Sequence, residues 1–182
     1  MTGCPATNML VSTYMKDLMK KTKPSHAYEA IKRNHAPGGM MSYESADDLK
    51  FYVKKGYCPG NAGKTLEWAF QDWGLSRMAL RMGKKSDAVL YEKRSRAWTP
   101  LFNKNIGLIL PKKENGEWLH TDPLNGQGWV EANAWQATWS VSHDLPKLVE
   151  LMGGGDAFCE KLNYAFEQAS PTDFVHAYSG GY

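Results

Sequence analysis

The residues with the most chemical potential lie in WVEANAWQATWSVSHDLP, the stretch from Trp129 to Pro146. One carboxyl, Glu131, stands there among the indoles of Trp129, Trp135 and Trp139, with the amides of Asn133 and Gln136 close by and a His143–Asp144 pair beyond. Indole packed around a carboxyl excludes water, and desolvation favours the protonated form. That is the state a proton donor needs, so the stretch reads either as the wall of a pocket that protonates something or as core packing. Taken alone, a single glutamate at a helix start more often caps backbone N–H groups than does chemistry. Asn133 and Gln136 can donate to ligand hydroxyls or satisfy backbone groups, and the two readings are level. His143 and Asp144 are sequence neighbours that seldom converge on one substrate atom, and Asp144 is better placed to cap the helix that contains Pro146.

The elements that must position these residues are mostly helical. Leu10, Val11, Tyr14, Met15, Leu18 and Met19 recur at helical spacing,. Ser25 is a plausible N-cap for a second helix running towards Asn34, and HAPGGMMSYE must be a loop,. From Lys64 to Met82 the apolar residues cover most of a helix and leave a narrow polar stripe of Lys64, Glu67, Gln71 and Arg81. Such a helix is packed on two sides. Lys64 and Glu67 read as a structural ion pair one turn apart. Ser86 to Trp98 is a half-exposed helix closed by Pro100, and Asn115-Gly116 between short apolar runs signals a hairpin,. Pro146 then opens a helix that the glycines at 153–155 stop, and Phe158, Leu162, Ala165 and Phe166 mark a last amphipathic helix,.

With 182 residues the chain fits one domain with a sizeable core,. The 22 basic residues are interleaved with 19 acidic ones, which argues against nucleic acid or an anionic membrane as the main partner,. Cys4, Cys58 and Cys159 are far apart and odd in number, and read as small apolar residues rather than a disulfide framework or zinc site,. No run approaches the roughly 20 apolar residues of a membrane span,. The first 21 residues read as an amphipathic helix rather than a signal peptide, which taken literally points to the cytoplasm,.

Two long stretches then carry a family resemblance: GKTLEWAFQDWGLSRMALRMGKKSDAVLYEKRSRAWTPLFN, from Gly63, and GWVEANAWQATWSVSHDLPKLVELMGGGDAFCEKLNYAF, from Gly128. In order and spacing they resemble the catalytic region of glycoside hydrolase family 92, the calcium-dependent exo-acting α-mannosidases. The resemblance runs from about Ala6 to Tyr182. It implies a mainly α fold, part of an (α/α)6 barrel with a short β-hairpin, and makes residues 1–182 a partial domain, an internal piece of a longer catalytic domain. It makes Glu131 the general acid that protonates the departing glycosidic oxygen, with Trp135, Asn133 and Gln136 as substrate-binding residues. The implied partners are a terminal α-mannoside of N-glycan or mannan type and the rest of the catalytic domain. Calcium is the implied cofactor, its ligands and the aspartate base lying outside this chain. The implied compartment is the periplasm or the exterior of the cell.

An inverting glycosidase needs one carboxylic acid and one carboxylate, about 6.5–9.5 Å apart. Trp129 and Trp135 are expected to desolvate Glu131, against the opposing pull of a helix dipole if Glu131 sits in a first turn. The sequence departs from the family pattern at Ala132, where glycine is usual, at Ala137, where an aromatic is usual, and at Ser142, where proline is usual. LILPKK, from Leu108, replaces an arginine-bearing hairpin segment. Linkage preference is therefore not carried over. The competing reading is a non-catalytic helical remnant that binds carbohydrate or a protein partner.

Overall fold

The computed structural model describes residues 3–43, 45–170 and 181–182. The chain forms two compact units, one from residues up to Cys58 with Lys64–Ala97, the other from Pro59–Gly63 with Trp98–Tyr182. Helix dominates, with one short antiparallel hairpin, as the sequence led us to expect.

The first unit contains α1 (Ala6–Met15), α2 (Pro24–Asn34), α3 (Ala46–Lys55), most of α4 (Ala62–Arg81) and α5 (Lys85–Arg94). α1 is shorter than its apolar spacing suggests. Arg81 donates to the carbonyls of Tyr14 and Met15 and to both carboxylate oxygens of Asp17, whose φ of 56° turns the chain away. Leu18 is left exposed beyond that turn. α2 has Pro24 at its start, with Lys23 in the N-cap position, so Ser25 lies inside the first turn rather than capping it. α3 begins with a side-chain cap, Ser45 accepting from Asp48 N, and ends on Gly56 in the left-handed region,. α5 ends at Arg94, before the expected Trp98.

α4 is buried on two sides, as its composition requires, but the buried surface is partly polar. Gln71, which the sequence placed on the narrow polar stripe, is fully buried and accepts the Cys4 N–H at 2.7 Å. Lys64 reaches Asp48 at 2.8 Å and lies over the Trp68 ring, and Glu67 accepts from the Gln71 amide. Val11, Tyr28, Ile31, Leu75, Met78 and Tyr91 pack as the apolar core.

Next to that core is a carboxylate with three donors. Asp72 accepts from His35 Nδ1 at 2.8 Å, Tyr52 Oη at 2.9 Å and Arg94 Nε at 2.8 Å. His35 Nε2 lies 2.9 Å from Thr7 Oγ1, so the network joins α1, α3, α4 and α5 with the residue that caps the end of α2. Burial first, and then the Asp72 charge, push the Tyr52 phenol well above its ordinary pKa, which keeps it a donor,. Replacing Asp72 with alanine leaves the half-buried Arg94 without its counter-charge. The expected loss is about 3–5 kcal/mol in urea unfolding of this unit.

Asp87, near the start of α5, accepts from Tyr28 Oη at 2.6 Å and Lys32 Nζ at 2.7 Å on α2. The bond from Lys32, then that from Tyr28, hold its pKa below the ordinary 3.8. A depressed folded-state pKa adds stability that is present above the unfolded value and lost as pH falls through the folded one. Asp87→Asn should therefore lower stability at neutral pH and flatten the decline measured below pH 3.8.

In the second unit, β1 (Phe102–Asn103) pairs with β2 (Leu108–Ile109), Phe102 opposite Ile109. Asn103 Oδ1 accepts from the amides of Asn105 and Ile106 and shapes the turn between them,. The expected Asn115-Gly116 turn is present as a narrower arm, closed by a Lys112–Trp118 bridge. After it come α6 (Ala134–Ala137), α7 (Leu145–Met152) and α8 (Gly155–Gln168).

Candidate active site

Glu131 is in none of these helices. It sits in a bend, exposed, with a φ of 52°. α6 begins three residues later, and its cap is Asn133, whose Oδ1 accepts from Gln136 N at 3.1 Å. The capping role weighed for Glu131 thus belongs to Asn133. The opposing helix dipole is also minor, since α6 is only four residues long,.

The loop that carries Glu131 is tied down along its length. Asp122 Oδ1 accepts from Leu124 N, and Asn125 Oδ1 from Gln127 N. His120 Nε2 donates to the Gln127 carbonyl at 2.8 Å, and Ala134 N donates to the Pro123 carbonyl. The next carbonyl, that of Gly128, accepts from Ala62 N at 2.8 Å and Gly63 N at 3.4 Å. These are the first amides of α4, donors that lack partners within their own helix. Gly128 leaves no room for a side chain here, whereas Gly63 stands at ordinary contact distance. A Cβ on Gly63 would lie 3.4 Å from Val130 N, and one on Gly128 would lie 2.7 Å from Pro111 Cβ. Gly128 also has a φ of 86°, a region L side chains rarely adopt,.

Between that anchor and the Asn133 cap the chain passes through Glu131 in a left-handed conformation. For a non-glycine residue this costs about 1–2 kcal/mol. Such outliers persist when their surroundings over-determine them, and they gather at functional sites.

The indoles do not enclose the carboxyl as expected. Trp129 and Trp135 are themselves buried, whereas Glu131 is exposed. The Trp135 ring is 5.5 Å from Tyr164 and 5.2 Å from Tyr182, and Lys161 Nζ lies over it at 5.2 Å. Lys161 donates to the Ile106 carbonyl at 2.6 Å, and burial pulls its pKa down. Trp68, fully buried, is core as expected, and Trp139 meets Phe158 edge to face at 5.5 Å.

Asn133 and Gln136 converge on one acceptor. Asn133 Nδ2 donates to the Gly181 carbonyl at 2.7 Å, and Gln136 Nε2 reaches the same oxygen at 3.4 Å. Asp144 holds the N-cap position of α7, but among the described residues its side chain makes no capping bond. Among the described residues no three His, Cys, Asp or Glu side chains come together to hold a metal ion, and no helix is long and apolar enough to cross a membrane.

The sequence reading missed the anchor formed by Gly128, Gly63 and Pro111. Its signal was present in NGQG, Asn125 to Gly128, a turn-prone run just ahead of the candidate residue,.

The model of the glycosyl hydrolase family 92 catalytic domain matches residues 1–182. The chain belongs to this family. A solved structure of a family 92 inverting mannosidase from Bacteroides thetaiotaomicron VPI-5482 matches with a TM-score of 0.83 at 28% identity, over 96% of this chain and 25% of that one. The fold is shared with a family 92 α-mannosidase of Bacteroides thetaiotaomicron in complex with mannoimidazole, with a TM-score of 0.81 at 24% identity over 94% of this chain and 23% of that one. A relative from Arthroderma benhamiae, described as an uncharacterized secreted glycosidase, is 24% identical over 202 residues, 89% of this chain and 26% of the relative. This family 92 chain spans about a quarter of the length of these relatives.

In this family 92 chain the contact at Gly128 is testable against a glycine of matched backbone. Gly116 has the same φ of 86° but, among the described residues, nothing within 4 Å of an added Cβ. Gly116→Ala should cost only the strain, about 1 kcal/mol, and Gly128→Ala about 1–3 kcal/mol more in chemical denaturation, because Pro111 must also move.

Proposed function

We propose that this chain supplies the general-acid part of an inverting exo-α-mannosidase, acting on terminal α-mannosides of N-glycan or mannan type. The observation that carries the reading is Glu131 itself. It is an exposed carboxyl held in a left-handed conformation on a loop fastened at both ends, inside a family 92 catalytic domain.

Glu131 protonates the glycosidic oxygen as the bond from the anomeric carbon to that oxygen breaks, so the leaving group departs as a neutral alcohol. A carboxylate on the opposite face of the sugar removes a proton from the attacking water, and its separation from the acid leaves room for that water. We assign that base to the remainder of the catalytic domain, since this chain spans about a quarter of its relatives. The same remainder completes the exclusion of water around Glu131, which the acid requires. Trp135, Asn133 and Gln136 form the wall beside the acid.

The calcium ion implied by the resemblance finds no cluster of ligands among the described residues, and no step is assigned to it. Its ligands too are assigned to the remainder of the domain. The relative described as a secreted glycosidase supports a periplasmic or extracellular setting.

The test is mannose release from an α-mannoside by the complete catalytic domain and by its Glu131→Gln variant. The variant is expected to lose about 10²–10⁴-fold in kcat. An unchanged rate would remove Glu131 from the chemistry and leave a carbohydrate-binding role for this part of the domain.

A further inference from the structure

We infer that Asn133 and Gln136 are positioning residues, a two-donor clamp that fixes the Gly181–Tyr182 segment beside the Glu131 loop, rather than ligands of the sugar. The inference rests on the general-acid reading of Glu131 for its catalytic consequence, though not for the clamp itself.

A side-chain amide that binds a sugar hydroxyl must present a donor or acceptor to solvent. Asn133 is 1% exposed; its Oδ1 caps α6 through Gln136 N, and its Nδ2 is on the Gly181 carbonyl. The Gln136 amide nitrogen is aimed at that same carbonyl. A carbonyl oxygen has two lone pairs, so it can accept both donors at once.

The neighbouring Tyr182 completes the seat. Its ring is 5.2 Å from Trp135 and 5.9 Å from Tyr164, edge to face with the latter. Polar and aromatic contacts therefore hold one short segment against α6. Asn133 lies two residues from Glu131, a span of at most about 7 Å along the chain. Loss of the clamp would move the wall beside the acid and loosen the residue that ends its loop.

Asn133→Asp tests this directly. Aspartate keeps the capping acceptor but replaces the donor with an anion that repels the Gly181 carbonyl. Gln136→Glu removes the second donor at a less buried site, and serves if the first variant does not fold. The complete domain would carry 3-fluorotyrosine, with the Tyr182 fluorine signal assigned by Tyr182→Phe.

In either variant the Tyr182 signal should move towards that of a solvent-exposed tyrosine. The kcat should fall about 10–100-fold with KM held, as expected when a catalytic group is misplaced without loss of a substrate contact. A Tyr182 signal that stays put would overturn the clamp. A raised KM with unchanged kcat would return the amides to the sugar. If Glu131→Gln leaves kcat intact while Asn133→Asp still shifts the Tyr182 signal, the clamp stands and the acid assignment alone fails.

Discussion

The candidate site depends on how closely the backbone at Gly128 approaches the start of α4. A helix begins with amide groups that lack partners in the helix, and here the carbonyl of Gly128 takes those of Ala62 and Gly63,. The approach needs a backbone without a side chain at Gly128, where a Cβ would lie 2.7 Å from Pro111 Cβ and 3.0 Å from the Gly60 carbonyl oxygen. Pro111 closes the remaining space against Gly128. A loop pinned in this way can hold its next polar residue in a conformation that a free loop would abandon. Glu131 is that residue, and its left-handed φ follows from the fixed anchor on one side and the Asn133 cap on the other.

The second dependence is electrostatic and lies in the first unit. A carboxylate buried with one donor would be costly, but Asp72 has three, one of them the guanidinium of Arg94,. The network joins the five helices of that unit through directional bonds, which fix the register of α4 more sharply than apolar contacts can. α4 carries both features, its N-terminal amides meeting the Glu131 loop and Asp72 lying ten residues along it.

Periodicity made the helices legible because their apolar stripes are long, as in α4, where burial on two sides followed from composition alone. It failed where a distant polar group intervenes. α1 stops at Met15, where Asp17 turns left-handed and Arg81 holds the last carbonyls, and apolar spacing does not announce that. The burial of Asp72 and Gln71 was hidden for the same reason: polar residues on an amphipathic helix look like a solvated face until their partners are known. Around the site, motif likeness singled out Glu131, Asn133 and Gln136. The bend at Glu131 and the use of both amides on Gly181 arise from contacts with residues far along the chain, which spacing does not encode.

Proton donation by Glu131 is measured most directly as the ratio of kcat/KM for the complete domain to that of its Glu131→Gln variant across leaving groups. A general acid matters most when the departing oxygen is basic and least when the leaving group departs readily as an anion. The ratio is therefore predicted to be large for a methyl α-mannoside and to collapse for a dinitrophenyl α-mannoside. An equal ratio for both would contradict the account, because Glu131 would then act on something other than the departing oxygen.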